Sequence, residues 1–295
     1  MDSLVIIGNG FDRYHEIPSS YRHFKCFLKT FNRRLYNELD DLFLDPDLLW
    51  SDFEKALGEP DFGAIRKDAE NCIDDNRSDN RQPDYHGYPT AIEEKLKNIS
   101  ELINYFNIWV KDRLEKSIEL IDCRRINLTK NAQYINFNYT SLLEKVYSIN
   151  LDHILYMHKK AQQDKNIIVG HNNHESVEKN YNIQEQFNLN EEGEEIENKY
   201  LNDTLKPIDE IIEKNKKYFE NLHKVNKVFI LGHSLSDIDK KYFAEIEKYV
   251  KKDSKWFVSY YGDDEKVSHE LFLHELGINK NNITIVKIDE IKIHI

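Results

Sequence analysis

Four short segments place small or polar side chains where the chain turns out of an apolar run. The first is IIGNGFD, Ile6 to Asp12, in which Gly8, Asn9 and Gly10 follow a buried run and Asp12 comes half a turn later. Small residues there let the backbone approach a phosphate or ribose, and a helix opening just after favours an anion. A strict GxGxxG is absent, because Arg13 stands at the third glycine's place, and a tight turn needing small residues explains the segment equally well. The second is Asn136-Phe137-Asn138-Tyr139-Thr140. Asn136 and Asn138 offer both donors and acceptors to ribose hydroxyls or a polarised carbonyl. Alternatively one Asn supports the turn while Thr140 or Ser141 caps a helix, with Glu144 closing a capping box. The third is His158, at the end of LYMHKK, where a neutral imidazole can act as general base near pH 7. The fourth is LGHSLSDID, Leu231 to Asp239. Gly232, His233 and Ser234 form a turn and Ser236 or Asp237 opens a helix, a second phosphate- or ribose-binding geometry. A serine-hydrolase elbow needs a second glycine where Ser236 stands.

Metal chemistry finds less support. Gly170–His174 carries His171 and His174 at i, i+3, with no third ligand and no helix to present them, so no metal is expected. Cys26, Cys72 and Cys123 lack CxxC spacing, which argues against disulfides and a structural zinc site.

The elements that must position these residues are short apolar runs at Leu4–Ile7, Tyr134–Phe137, Ile154–Met157, Ile167–Val169, Val228–Leu231, Trp256–Tyr260 and Ile283–Ile288. They read as buried parallel strands. Helical patterns at Thr140–Ser148, Ile238–Val250 and Lys266–Leu276 alternate with them, the last stopping at Gly277. This alternation predicts a doubly wound, Rossmann-like α/β sheet with helices on both faces, in which the four segments meet at the carboxyl ends of strands. The expected organisation is a single domain over 1–295 with helical insertions at about 19–128, after the first strand, and 175–222. The first insertion holds helical patterns at Tyr21–Leu39, Trp50–Leu57 and Ile92–Ile121, with a polar Arg66–Pro89 interval that reads as an exposed loop. The second is Asn/Glu-rich, then amphipathic over Thr204–Leu222.

Composition narrows the classes further. The 295 residues are 40% hydrophobic and 12% aromatic, which argues against general disorder. With 53 acidic and 41 basic side chains the net charge is −12, which opposes sequence-independent binding to nucleic acid. No apolar run approaches the roughly 18 residues of a membrane helix, and the N-terminus MDSLVIIGNG lacks a basic signal-peptide region, so a cytoplasmic location is expected.

The order of motifs resembles the AbiH family of bacterial abortive phage-infection proteins. The carrying residues are LVIIGNGFDRYHEIPSSYRHF at 4–24, LWSDFEKAL at 49–57, INFNYTSLLEKVY at 135–147, LYMHKK at 155–160, VGHNN at 169–173 and FILGHSLSDIDKKYF at 229–243. That family is in turn similar to sirtuin-like NAD-binding domains. The resemblance implies a phosphate-side loop at Gly8, Asn9 and Gly10, Asn138 beside the nicotinamide ribose, a catalytic His158, and a second nucleotide-side turn at Gly232 and Ser234. Asp12, Asn136, His233 and Asp237 complete the expected binding set. It implies an antiphage effector that binds NAD as substrate and hydrolyses it to nicotinamide and ADP-ribose. The expected partners are NAD or a related nucleotide, a phage-derived trigger or neighbouring defence protein, and a second copy of the chain. The zinc-binding CxxC pairs of deacetylase sirtuins are missing, so deacetylation is not expected. In one departure, the family's usual His-Gly is here His158-Lys159. Two alternatives remain: a nucleotide-binding sensor without chemistry, and a metal-dependent nuclease using Asp12, His15 and the GHNNH stretch.

Overall fold

The computed structural model describes residues 1–73, 86–121, 125–160, 167–173, 189–291 and 293. Six strands form one sheet: β1 (Ser3–Ile7), β2 (Gln133–Asn136), β3 (Ile154–Tyr156), β4 (Lys227–Leu231), β5 (Lys255–Tyr260) and β6 (Ile283–Lys287). All neighbours pair parallel, in the order β3-β2-β1-β4-β5-β6. The strands are continuous apolar runs because helices must cover both faces of a parallel sheet; every residue of β1 is buried. The order advances outward from β1 in one direction through β2 and β3, and in the other through β4, β5 and β6. Between β1 and β4 the winding reverses, the switch point at whose carboxyl side doubly wound sheets place their ligands. The Rossmann-like α/β expectation holds.

The chain divides into two compact units: Met1–Ser20 with Ile108–Ile168 and Pro207–Ile295, and Tyr21–Asn107 with Val169–Lys206. In the first, strand alternation sorts the side chains. Leu4, Ile6, Ile135, Phe137, Val228, Ile230 and Val258 line one core with Phe219, Leu222, Tyr242, Phe243, Ile246, Phe272 and Leu273. Helix Lys240–Tyr249 presents Tyr242, Phe243 and Ile246 to that core, an apolar stripe at helical spacing. Asn136 and Asn138 alternate with Ile135 and Phe137 and so leave β2 toward the other face.

The second unit holds an aromatic core. Phe53 and Phe106 stack at 5.2 Å, and Phe24 meets Phe106 edge-on at 5.2 Å. Beside Phe53, Glu54 accepts from the fully buried Lys206 ammonium at 2.9 Å.

Several expected elements differ. Ile167–Val169 forms no strand; Ile168 N–H makes one bond to the His158 carbonyl, 2.9 Å, without a ladder. Thr140–Ser148 is helical only over Leu142–Lys145. Tyr21–Leu39 breaks at Asn32, whose side chain accepts from Leu35 N–H at 3.1 Å. Trp50–Leu57 breaks at Asp52, which caps Lys55 N–H at 3.2 Å. Both breaks are local N-caps inside an unbroken apolar period. The pattern at Ile92–Ile121 begins earlier, as helix Gly87–Trp109, and continues through a π-helical stretch, Val110–Leu114. Thr204–Leu222 is interrupted at Pro207, which lacks an N–H and opens helix Ile208–Lys214; the Asn/Glu-rich stretch before it forms helix Leu189–Thr204. Of the expected loop Arg66–Pro89, Arg66–Glu70 ends helix Phe62–Glu70, and 74–85 lies outside the described residues. Among the described residues no helix is long and apolar enough to cross a membrane.

Candidate functional site

The loops after β1 and β4 meet where the winding reverses. Gly8 N–H donates to the Leu231 carbonyl at 3.0 Å and Gly10 N–H to the Gly232 carbonyl at 2.7 Å. A β-carbon on Gly8 would lie 2.5 Å from His233 Cα, and one on Gly10 2.8 Å from Gly232 Cα. Gly232 has φ +63°, and a β-carbon there would lie 2.1 Å from Phe11 N. The glycines are therefore required by the closure of one loop on the other. Asn9 remains exposed at the tip, its amide donating to the Ser19 carbonyl at 3.1 Å.

A polar network lies beneath the β1 loop. Asn138 donates from its amide nitrogen to the Gly8 carbonyl at 3.0 Å and to Asp12 Oδ1 at 2.8 Å. Thr140 donates its hydroxyl to Asp12 Oδ2 at 2.8 Å. Asn136 orients this turn by accepting Asn138 N–H at 2.8 Å. Burial pushes the Asp12 carboxyl from 3.8 up to about 7; bonds from Thr140 and Asn138 oppose the rise, and the nearby Glu115 charge adds to it. The capping box does not form. Thr140 serves Asp12, the Ser141 hydroxyl and N–H go to Glu115, and Glu144 accepts from Tyr156 at 2.6 Å and Lys160 at 2.7 Å.

A second cluster occupies the side of the sheet end that carries Phe137. Asp239 places Oδ1 3.8 Å from His158 Nε2 and Oδ2 3.5 Å from His233 Nε2. Phe137 stands edge-on to both rings, with centroids 5.5 Å from His158 and 4.5 Å from His233. All three polar groups are buried. His233 Nδ1 accepts Leu235 N–H at 2.9 Å, and Leu235 reaches this position with φ +53°. Ser259 and His269 hold the same loop, through Gly232 N–H at 2.7 Å and the Ser234 carbonyl at 3.2 Å.

The structure thus gathers Gly8, Gly10, Asp12, Asn136 and Asn138 into one network, and His158 with His233 into another. Ser234 and Asp237 are exposed. The carboxylate that reaches the histidines is Asp239, two residues beyond the expected Asp237. Sequence reading opens that helix at Ser236 or Asp237 and assigns Asp239 no role. Lys159 is exposed with φ +64°, a left-handed conformation that a glycine adopts without strain. The candidate nuclease ligands are already engaged. His15 Nδ1 bonds the Phe11 carbonyl at 2.8 Å and Nε2 the Tyr147 hydroxyl at 2.6 Å. His171 Nε2 bonds the Leu201 carbonyl at 3.2 Å and Nδ1 accepts Asn173 N–H at 3.0 Å. His174 and Cys123 lie outside the described residues. Among the described residues no group of three or more His, Cys, Asp or Glu is arranged to hold a metal ion.

The two clusters hold a side-chain amide whose N–H groups go to Gly8 and Asp12, a carboxyl raised to about 7 by burial, and an imidazole beside a carboxylate, all at the carboxyl ends of strands. The family model described as Bacteriophage abortive infection AbiH matches residues 4–260. The chain belongs to the AbiH family. The match takes in β1 through β5 and therefore every residue of the two clusters. Neither the curated proteins nor the solved structures show a match to the chain. Membership of AbiH carries a role in bacteriophage abortive infection.

Proposed function

We propose that this AbiH protein binds NAD at the carboxyl ends of β1 and β4 and hydrolyses it to nicotinamide and ADP-ribose, depriving an infected cell of NAD. The observation that carries the reading is the meeting of two glycine loops, Gly8–Gly10 and Gly232–Ser234, at the point where the sheet order reverses. That is where doubly wound folds bind dinucleotides. The roles given to Asn138 and His158 rest on the resemblance of the sequence motifs to sirtuin-like domains.

In this reaction the bond between ribose C1′ and the nicotinamide nitrogen breaks. The electron pair goes to that nitrogen and neutralises its positive charge, leaving an oxocarbenium-like sugar. A water oxygen bonds to C1′, and its proton passes to His158 and then to solvent. Asn138, whose amide N–H groups go to Gly8 and Asp12, holds the β1 loop against which the ribose would rest. His158 and Asn138 are 4% and 5% exposed, so nucleotide entry requires the loops to part. A closed resting site suits an effector that must stay silent until infection.

The test is the NAD content of infected cells. NAD falls in cells expressing the wild-type chain and holds in cells expressing His158→Ala. Protection from phage with NAD intact in both would overturn the hydrolase reading in favour of a nucleotide sensor, which the burial of both residues also fits.

A further inference from the structure

Both hydrogens of the Asn138 side-chain amide are used inside the fold. One goes to the Gly8 carbonyl at 3.0 Å and the other to Asp12 Oδ1 at 2.8 Å. A backbone carbonyl can only accept, so the nitrogen end of the amide must face this pair; turned over, the amide would set its own oxygen against the Gly8 oxygen. The backbone of the same residue is fixed too, its N–H donating to Asn136 Oδ1 at 2.8 Å. The amide's remaining polar atom is Oδ1. Among the described residues none donates to it, and it is not one of the unpartnered polar atoms sealed from solvent.

Asp12 can hold this arrangement in either protonation state. Its Oδ2 receives the Thr140 hydroxyl at 2.8 Å. As a carboxylate it accepts from Asn138 and Thr140 together. As a neutral acid it carries its proton on Oδ2 and donates to Thr140 Oγ, because a hydroxyl is donor and acceptor alike, while Oδ1 still accepts from Asn138. Burial raises this carboxyl to about 7, so the two forms coexist near neutral pH and the amide keeps its direction in both.

We infer that Asp12 is a positioning residue acting through Asn138: with the Gly8 carbonyl it turns the amide so that an acceptor, Oδ1, is the atom left for a ligand, and the site therefore selects a sugar that donates a hydroxyl to it. A ribose meets this demand, and the same nucleotide lacking that hydroxyl leaves the oxygen without a donor. The sugar assignment rests on the NAD reading; the direction of the amide does not.

Hydrogen exchange of side-chain amides, followed by proton–nitrogen NMR in the full chain, reads that direction without a ligand. The Asn138 signals are assigned by their absence in Asn138→Ser. In wild type both protons are expected to exchange at least about 10-fold more slowly than those of the exposed Asn281. Asp12→Asn, whose amide oxygen can accept in place of Oδ1, is expected to keep this protection, and Asp12→Leu to lose it for one proton. Asp12→Ala serves where Asp12→Leu does not fold. Fast exchange of either proton in wild type, or protection unchanged without an acceptor at position 12, would overturn the inference.

The sugar assignment is tested by calorimetry in the His158→Ala background, so that no ligand is consumed, with NAD and with analogues lacking the 2′- or the 3′-hydroxyl of the nicotinamide ribose. NAD is expected to bind about 10-fold more tightly than one of the two analogues. Adding Asp12→Asn should keep that ratio, and adding Asp12→Leu should bring it below about threefold. Equal binding of NAD and both analogues would overturn the selection of a sugar hydroxyl. Binding of none of the three contradicts the NAD reading, and amide exchange then decides the role of Asp12 alone.

Discussion

Gly8 and His233 approach so closely that a β-carbon on Gly8 would stand 2.5 Å from the His233 Cα. The obstacle is backbone, which cannot swing away as the tip of a side chain can. Gly8→Ala is therefore expected to destabilise the protein by about 3 kcal/mol, the upper end of overpacking costs, and to loosen the His233 loop. Urea unfolding checks this; a variant of wild-type stability would show that the loops are less tightly apposed.

Asp12 gives the stability a pH signature. Its carboxyl is raised from 3.8 to about 7 in the fold, mainly by burial. Its contribution is complete below pH ~4 and is lost as pH rises through about 7, where the fold must hold a buried charge. Asp12→Asn removes this loss, so its stability relative to wild type should rise between those limits, by at most on the order of 4 kcal/mol. Urea unfolding of both proteins across the range tests it, and parallel pH profiles would contradict it.

Lys159 occupies a left-handed position, φ +64°, directly after His158. A side chain there costs about 1 kcal/mol, and the greater freedom of an unfolded glycine offsets part of the gain from removing it. Lys159→Gly should stabilise the chain by about 0.5 kcal/mol. A lower unfolding midpoint would mean that the lysine makes a stabilising contact of its own.

Lys206 is fully buried and donates to Glu54 at 2.9 Å. Replacing it with Met strands a buried carboxylate, at a cost of about 3–5 kcal/mol. Adding Glu54→Gln should recover more than half of that loss in a thermal melt. A double variant no better than the single one would show that the cost is one of packing.

Much of the fold was legible because burial on both faces of a parallel sheet leaves uninterrupted apolar runs, as in Leu4–Ile7 and Val228–Leu231. Ile167–Val169 has the same composition and makes no ladder, since composition does not say whether a neighbouring strand edge is available. The errors at the site share one cause. Local rules give Thr140 or Ser141 to capping one helix and Ser236 or Asp237 to capping the other, and leave Asp239 without a role. In the fold, Thr140 bonds Asp12, 128 residues away, and Asp239 meets two histidines brought in by other strands. The order of the strands in the sheet decides these contacts, and strand composition carries no trace of it.

The central claim is tested most directly by incubating the purified chain with NAD and separating the products. Wild type should release nicotinamide and ADP-ribose in equal amounts, and His158→Ala should release neither while keeping its fold by circular dichroism. Equal release by both proteins would contradict the role of His158. No release by wild type, even with lysate from infected cells added, would contradict hydrolysis itself.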